Sequence, residues 1–462
     1  MNGMPDSQGK SKGSYKNYDV RGLLDKIGVC PEKSMGQNFL TDSSVAESIV
    51  MALNAGEEDV VVEIGPGLGA LTHHLASKVK RLILVEFDPK LALFLSDHYD
   101  GNEAVVVVHA DATKFDLRPL FQYGPIKLIG NLPYSCAGEI MRRFLDPPTP
   151  VVKAVLMLQK EVADRLVAHP RTKAYGRLTL LTRANWKTEE LFILPSDPFY
   201  PKPRVESTVL RLLIRSKQEF DPFDRVLFDR LLRCGFAQRR KQLKKRLPIG
   251  DRNWNDLCGE LGITITARAE ELDLEDWLAM ARLLDSHPLK GHPQSNAEMF
   301  DVVNAQNVVT GQKSRGEVHA LGLLHRAVHV FVFNSLGELY LQKRSVLKDC
   351  AAELWGSSVS GHLDAGESYQ DAAKREMLEE LGMEGPLEKI LDIDACKQTG
   401  WEFVSLFMTE NGGPFVSPCS EVETGAFMPI DQISSWVNRR PQDFSSGFLS
   451  CWDSFIALDK KA

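Results

Sequence analysis

A glycine-rich turn and two later acids in this 462-residue sequence have the types and spacing to bind a nucleoside. The turn, residues 63–69, directly follows an apolar run, and its glycines Gly65 and Gly67 let the backbone approach a ligand closely. Glu86 ends the next apolar run, where it can accept both ribose hydroxyls, and Asp111 ends the third, where it can accept an adenine amine. A lone turn of this kind also fits a dinucleotide site or an ordinary tight turn, whereas three successive strand ends favour a nucleoside.

A fourth apolar run ends in a tetrapeptide suited to chemistry at an amine, namely Asn131, Leu132, Pro133 and Tyr134. An adenine amine is a poor nucleophile because its lone pair is delocalised into the ring. The Asn131 side-chain oxygen and the Leu132 carbonyl can hold the two amine protons and turn the lone pair toward a methyl group. Pro133 fixes the backbone, and Tyr134 can stack on a flipped base. The tetrapeptide predicts a catalytic site for adenine methylation; the alternative is a proline turn with a partly buried tyrosine.

A second cluster of acids lies far along the chain, in residues 361–383. Glu376, Glu379 and Glu380 have i, i+3, i+4 spacing, so a helix places them on one face. Clustered carboxylates repel one another unless cations neutralise them, and such a cluster suits Mg²⁺ or Mn²⁺, which hold a diphosphate and activate water. Arg375 can orient one of the glutamates. The alternative is a charged surface helix with salt bridges.

The charge of the chain is unevenly distributed. The formal net charge is −7, but residues 291–462 carry −10 and residues 1–290 carry +3. Seven basic residues fall within residues 233–246, which contain no acid. Such a run is typical of a solvated helix face or of a surface that contacts nucleic-acid phosphates. Because the sequence also predicts a site for adenine methylation, we favour RNA binding over a solvated helix face. The candidate RNA-binding residues are Arg239, Arg240, Lys241, Lys244 and Lys245.

Alternating apolar runs and amphipathic stretches must position these residues. Runs such as residues 59–65, 81–88 and 104–111 are near-continuous in Val, Ile and Leu, as in parallel strands buried on both faces. They predict an open α/β sheet, followed by helices and then by a strand-rich region with an amphipathic helix near 368–381. The predicted divisions are a disordered tail at 1–17, an α/β domain at 18–215, a helical subdomain at 216–286, a linker at 287–297 and a second domain at 298–462.

The first part of the sequence resembles the bacterial rRNA adenine dimethyltransferase family over roughly residues 18–285. The resemblance implies a Rossmann-like class I methyltransferase sheet that uses S-adenosylmethionine and acts on small-subunit rRNA in the 30S precursor. Asn38 and Leu40 would cover the cofactor, and Phe199 would close over the target base opposite Tyr134. The other implied cofactor contacts are Gly65, Glu86, Asp111 and Asn131. The matching motifs are SMGQNFL (34–40), EIGPGLGALT (63–72), NLPYS (131–135), the block at 157–179, FYPKPRVEST (199–208), FAQRRKQLKKRL (236–247) and RAEELDLEDW (268–277).

Residues 361–383 fit the Nudix hydrolase pattern throughout. The resemblance implies an α+β domain in which two glutamates bind the metal directly and further residues support them. The direct ligands are Glu376 and Glu380, and the supporting residues are Gly361, Glu367, Arg375 and Glu379.

The flanking sequence looks like the isopentenyl-diphosphate-isomerase branch of Nudix proteins. Isomerases carry a catalytic cysteine where this sequence has Ser360, and their pattern is degenerate where this one is intact. Both differences favour hydrolysis of a small diphosphate over isomerisation. Glu421 and Glu423 are weaker candidates for a base. The matching stretches are 323–335, 339–345 and 358–362.

Two alternatives to small-subunit RNA methylation stay open. A related family methylates large-subunit rRNA and confers antibiotic resistance, although the blocks at 159–166 and 173–179 favour the small-subunit type. A ribosome assembly factor would bind RNA without turnover, although the intact tetrapeptide argues against lost activity. No run approaches the roughly 18 apolar residues of a membrane span, and the eight cysteines form no Cys-x-x-Cys pair. We expect a cytoplasmic monomer, no membrane association, and a second domain that folds independently of the first.

Overall fold

A computed structural model describes residues 19–31, 37–287 and 295–459 of the protein. The predicted tail at 1–17 and most of the predicted linker at 287–297 lie outside these residues. The described part contains two large sheets with helices packed on them, and a helical subdomain follows the first sheet. None of its helices is long and apolar enough to cross a membrane.

An open sheet of seven strands occupies the first part of the chain. The strands before residue 215 are β1 (Phe39–Leu40), β2 (Val60–Ile64), β3 (Arg81–Glu86), β4 (Val105–His109), β5 (Ile126–Asn131), β6 (Val151–Gln159), β7 (Trp186–Leu194), β8 (Phe199–Tyr200) and β9 (Ser207–Ile214). The order in the sheet is β4-β3-β2-β5-β6-β9-β7, with β9 and β7 antiparallel to their neighbours and the others parallel. β1 and β8 pair separately as an antiparallel ribbon. This is the predicted α/β architecture.

Burial explains which strands are recognisable in the sequence. β2 lies inside the sheet and is buried along its whole length, as its apolar run predicts. β4 has an equally apolar run but lies at one edge with intermediate burial. The sequence does not predict β7, which lies at the other edge and exposes Lys187, Glu189 and Glu190. An edge strand carries polar residues because one of its sides faces solvent.

Among the residues that the structure describes, seven α-helices accompany the first sheet, and three more form the predicted helical subdomain. The first seven are α1 (Val20–Ile27), α2 (Ser43–Leu53), α3 (Thr72–Leu75), α4 (Pro89–His98), α5 (Ala137–Leu145), α6 (Lys160–Val167) and α7 (Arg177–Arg183). The subdomain consists of α8 (Arg225–Phe236), α9 (Trp254–Leu261) and α10 (Leu274–Leu284). It has its own core, in which Gly235 lets α8 approach Trp277, since a Cβ there would lie 2.5 Å from the indole ring. The helical spacing of this region is therefore confirmed.

The second large sheet is mixed. Its region contains β10 (Met299–Val303), β11 (Val309–Ser314), β12 (His325–Phe333), β13 (Leu339–Arg344), β14 (Trp355–Gly356), β15 (Val359–His362), β16 (Glu388–Ile393), β17 (Glu402–Glu410) and β18 (Val422–Met428). β12 pairs in parallel with β17, and the other pairs are antiparallel. The helices are α11 (Arg315–Leu321), α12 (Tyr369–Leu381), α13 (Ile430–Arg439) and α14 (Ser446–Asp459). α12 is the predicted amphipathic helix, and the α+β arrangement is as expected.

The two domains pack against each other. Phe121 of the first domain is 7% exposed and belongs to the hydrophobic core of the second. Its ring centroid lies 4.9 Å from that of Trp436 and 5.6 Å from that of Trp355. Arg118 pairs with Glu338 at 2.7 Å. These contacts argue against the expectation that the second domain is independent of the first.

Candidate active sites

A cavity of about 420 Å³ opens at the carboxyl ends of the parallel strands β2 to β5. All the residues predicted to bind the cofactor line it, although they come from five separate segments of the chain. They are Asn38, Leu40, Gly65, Gly67, Glu86, Asp111 and Asn131. Parallel strands end at one edge of a sheet, which is why distant segments meet there.

The glycine-rich turn is held against Glu86. Gly65 and Gly67 have φ values of 63° and 58°, a left-handed conformation that favours glycine. The Glu86 carboxylate accepts hydrogen bonds from the backbone N–H of Gly67 at 3.0 Å and of Asp88 at 2.9 Å. Burial raises the pKa of Glu86, and these backbone donors oppose that shift. The carboxylate is thus oriented at the mouth of the turn, where it can accept ribose hydroxyls.

Asp111 is oriented by its own loop. Its carboxylate accepts hydrogen bonds from the Thr113 backbone N–H at 2.9 Å and from the Thr113 hydroxyl at 2.7 Å. The hydroxyl contributes most to lowering the pKa of Asp111. An ionised carboxylate at the cavity wall can accept a hydrogen bond from an adenine amine, as the sequence predicts.

The predicted catalytic tetrapeptide follows the end of β5. The Asn131 side-chain nitrogen donates to the Asn38 carbonyl at 2.8 Å, so Oδ1 is the acceptor atom of this side chain. The Leu132 backbone N–H donates to the Met157 carbonyl at 3.1 Å, which fixes the peptide, and Leu132 itself is 1% exposed. Pro133 also lines the cavity. Of the two predicted acceptor residues, Asn131 lines the cavity, where its oxygen suits the recognition of an amine, and the role of the Leu132 carbonyl stays a prediction.

The two predicted aromatic residues differ in exposure. Tyr134 is partly buried, and its hydroxyl hydrogen-bonds Ser207 at 2.9 Å. Phe199 is 2% exposed and packs in the core with Leu40, its pairing partner in β1, and with Leu194. Base stacking on Tyr134 and closure by Phe199 stay predictions, and in this structure Phe199 is packed in the core.

The helix α12 brings the second predicted site together. Glu380 is 2% exposed, and its carboxylate accepts from the Gln342 side chain at 2.9 Å and the Ser360 backbone N–H at 3.1 Å. Glu379, at 57% side-chain exposure, lies at the rim and pairs with Arg375 at 3.3 Å. The face of the helix thus runs from a buried to an exposed carboxylate.

Gly361 leaves the space that Glu376 occupies. A Cβ at Gly361 would lie 2.0 Å from the Glu376 carboxyl group, so a side chain there would displace it. Arg375 donates to Glu376 at 2.8 Å and to Glu367 at 2.9 Å, which ties the loop to the helix. Burial and the neighbouring Glu380 raise the pKa of Glu376 to about 8. The partly buried Glu376, with its raised pKa, and the buried Glu380 beside it fit a divalent cation, which would neutralise them.

Lys348 is buried beside these glutamates. Its ammonium lies 3.9 Å from Glu380 and donates to Glu421, and burial lowers the pKa of Lys348. Glu423 lies between two lysines, one of which is Lys217 of the first domain. Burial raises the pKa of Glu423, but the lysines hold it below its ordinary value. An ion-paired carboxylate is a weak proton acceptor, so the geometry does not favour Glu423 as a base.

A histidine cluster lies next to this site, and the sequence analysis does not identify it. His319, His325 and His362 offer ring nitrogens that all lie within 4.8 Å of one another. Glu402 lies 3.0 Å from His362 and 3.5 Å from His325. Burial raises the pKa of Glu402, but these two imidazoles lower it far below its ordinary value. Three imidazoles and a carboxylate can hold a transition metal, or can stand alone as a hydrogen-bonded network stacked on Phe300.

The basic run begins on α8 with Arg233, continues through turns that contain Arg239, Arg240 and Lys241, and ends in a short 3-10 helix, Leu243–Lys245. Arg239 is engaged by the protein itself, since it donates to Glu270 at 2.8 Å and to the Thr172 carbonyl at 2.5 Å. A surface groove of about 770 Å³ beside it also includes Arg171 and Lys173. The remaining predicted RNA contacts are exposed, namely Arg240, Lys241, Lys244 and Lys245.

Comparison with known proteins assigns both parts of the chain. The family model for ribosomal RNA adenine dimethylase matches residues 31–286, and the NUDIX domain model matches residues 323–446. Ribosomal RNA small subunit methyltransferase A of a Picosynechococcus strain is 38% identical over 271 residues, which cover 56% of this chain and 98% of the relative. The Ligilactobacillus salivarius protein of that name is 39% identical over 287 residues, covering 57% and 94%.

Solved structures include a dimethyladenosine transferase from Plasmodium falciparum. It is 23% identical, with a TM-score of 0.46, over 52% of this chain and 95% of the transferase.

Proposed function

We propose that this chain, which belongs to the ribosomal RNA adenine dimethylase family and carries a NUDIX domain, dimethylates adjacent adenines of small-subunit ribosomal RNA and also hydrolyses a small diphosphate. The observation that carries the first activity is the convergence of the strand ends, with Asn131 and Pro133 of the tetrapeptide, on one cavity. The match covers 98% and 94% of two relatives that are named for the small subunit. It therefore supports the 30S precursor, and not large-subunit RNA, as the partner. We propose that the protein acts in the cytoplasm as a monomer.

The cavity residues suit S-adenosylmethionine, which supplies the methyl group when it is bound. The glycine-rich turn accommodates the amino-acid end, Glu86 holds the ribose hydroxyls and Asp111 holds the adenine amine. Each carboxylate is already oriented by backbone N–H donors, so binding requires little reorganisation of either acid.

The tetrapeptide orients the target amine. Asn131 Oδ1 and the Leu132 carbonyl accept its two N–H hydrogens, which turns the nitrogen lone pair toward the cofactor. Tyr134 supports the flipped base, with its hydroxyl held by Ser207. The arrangement acts mainly by positioning, so loss of the acceptor should affect turnover more than cofactor binding.

The test is Asn131→Ala, assayed on 30S subunits that lack the dimethyladenines. We expect turnover to fall by roughly 100-fold or more, while the affinity for S-adenosylhomocysteine changes far less. Asn102→Ala, in a surface turn, serves as the control. Wild-type turnover by the Asn131 variant would refute the proposed role, and RNA binding without turnover by the wild type would favour an assembly factor.

For the second domain we propose hydrolysis that depends on Mg²⁺ or Mn²⁺, held by Glu376 and Glu380 with Glu379 at the rim. A divalent cation supplies charge neutralisation and a polarised water there. Lys348 and Arg344 add positive charge beside the carboxylates, with Arg344 Nη1 3.4 Å from the Ser360 hydroxyl. Cations flanking an acidic metal site suit a small diphosphate, whereas the net charge of −10 in residues 291–462 disfavours RNA.

A further inference from the structure

The cofactor loop, residues 110–113 at the cavity wall, begins a segment that is held at two points. At its start, Asp111 and Thr113 line the cavity and are hydrogen-bonded to each other. Further along, the Arg118 guanidinium makes a bidentate contact with Asp116, with distances of 2.9 to 3.0 Å. Only four residues separate Thr113 from Arg118, so whatever holds Arg118 also restrains the cofactor loop.

The second domain holds Arg118. Its Nη1 donates to the Glu338 carboxylate at 2.7 Å and to the Phe427 carbonyl at 3.2 Å. The side chains of Arg118 and Glu338 are 32% and 15% exposed, so the pair is partly shielded from water. The arginine thus bridges Asp116 of one domain and a carboxylate and a carbonyl of the other.

Aromatic packing reinforces this bridge. Phe121 is buried against Trp355 and Trp436, both of the second domain. The Tyr123 ring lies under two guanidinium groups, 5.1 Å from Arg81 of β3 and 5.3 Å from Arg439 of α13. Separating the domains would expose the Phe121 ring and the indoles to water, which is unfavourable.

A second contact lies on another part of the interface. Glu423 of β18 pairs with Lys217 of the first domain and, at 3.3 Å, with Lys343 of β13. Near it, the Cys419 thiol lies 3.8 Å from the Asp285 carboxylate, which directly follows α10. Two contact regions far apart in sequence restrict rotation of one domain against the other.

We propose that the second domain is an intramolecular partner of the first: by docking on residues 116–123 it holds the cofactor loop in its binding conformation. The two domains therefore unfold as one cooperative unit, and cofactor affinity depends on the docked interface. This inference rests on the proposed cofactor site and concerns stability and affinity, not exchange of substrates.

Calorimetry of the full-length chain tests the first part. The wild type should unfold in a single transition, and S-adenosylhomocysteine should move the whole transition to higher temperature, because a ligand of one domain stabilises everything that unfolds with it. Two transitions, of which the ligand moves only one, would overturn the inference.

Phe121→Ala tests the second part. It should split the unfolding into two transitions and weaken S-adenosylhomocysteine binding by at least about fivefold. The matched control is Phe455→Ala, which removes a partly buried ring that packs on Phe331 and Phe333 within the second domain. This control should lower the unfolding temperature while leaving a single transition and an unchanged ligand affinity.

A charge reversal keeps the test decisive if the Phe121 variant does not fold. Glu338→Lys places a cation against Arg118 from the second domain and leaves the Asp116 contact in place. It should weaken S-adenosylhomocysteine binding, and unchanged affinity would contradict the proposal. If the wild type binds this ligand and methylates 30S subunits but its domains unfold separately, the proposed function stands and only this inference fails.

Discussion

Burial sets the charge state of single acidic residues beside both candidate sites. Glu63, in β2 just before the glycine-rich turn, is 1% exposed and lines the cofactor cavity. Burial raises its pKa to about 8, although the Thr72 hydroxyl donates to it at 2.8 Å and opposes the shift. Glu376 has a similarly raised pKa, whereas the hydroxyl of Thr113 lowers that of the more accessible Asp111. The sequence shows three comparable carboxylates, and only the surroundings distinguish them.

Glu63→Gln should remove a pH dependence of stability. Because the pKa of Glu63 is raised in the folded protein, its contribution is fully present below about pH 4.5 and is lost as the pH rises through about 8. Between pH 5 and pH 9 the wild type should therefore lose on the order of 3 kcal/mol of unfolding free energy relative to the variant. Urea unfolding at both pH values measures this difference.

Glu58→Gln is the control for this experiment, because the Glu58 side chain is 89% exposed. It should show no such difference between the two pH values. If the Glu63 variant and the wild type respond to pH in parallel, Glu63 ionises normally in the folded protein.

At the scale of elements, the loops after α6 and α8 create a basic surface that neither has alone. Residues 237–241 form turns and a bend, and Leu243–Lys245 form a short 3-10 helix, so the basic run is not one continuous helix face. Arg239 ties the two loops together through the backbone carbonyls of residues 172 and 173, and it also pairs with Glu270, which lies between α9 and α10. The exposed cations beside it are therefore available for phosphate contacts, while Arg239 has a structural role.

Charge reversal at Arg240 and Lys241 should weaken RNA association and flatten its salt dependence. Each lost phosphate contact should lower the slope of log affinity against log salt by about 1. Lys80→Glu is the control, since Lys80 is exposed but lies at the amino end of β3, opposite the edge with the cavity. An unchanged slope in the double variant would assign these side chains to a solvated surface.

At the scale of the whole molecule, shared packing does not imply shared chemistry. The residues that line the cofactor cavity lie between 37 and 157, whereas the carboxylates of the second site lie on α12. Glu380 accepts hydrogen bonds from Gln342 and Ser360 within the second domain. An isosteric change of its charge therefore leaves the contacts with the first domain in place.

Glu380→Gln should reduce diphosphate hydrolysis by roughly 100-fold or more, while methyl transfer by the full-length chain is unchanged. The comparison variant is Glu379→Gln, which should lose less activity because its carboxylate lies at the rim. A panel of nucleoside diphosphate derivatives and prenyl diphosphates with Mg²⁺ or Mn²⁺ measures hydrolysis. Turnover that does not depend on Glu380 would contradict the metal site, and loss of methylation would show that the two reactions are coupled.

The sequence by itself determined the properties that depend on neighbouring residues. Apolar runs specify buried strands, glycines specify the left-handed turn, and i, i+3, i+4 spacing puts glutamates on one helix face. The fold class, the helix at 369–381, the membership of the ribosomal RNA adenine dimethylase family and the presence of a NUDIX domain are confirmed. The roles of the individual site residues and the domain boundaries stay predictions.

Only the tertiary structure decided features that arise between distant segments. The three histidines of the cluster lie on α11, β12 and β15, so their spacing in the sequence does not predict that they meet. Phe121 looks like an ordinary core residue of the first domain, yet it packs in the core of the second. In the sequence Arg239 is one of several cations in a basic run, whereas the structure shows that it pairs with Glu270. Sequence patterns report which face of an element is apolar, but strand order and domain docking determine what that face meets.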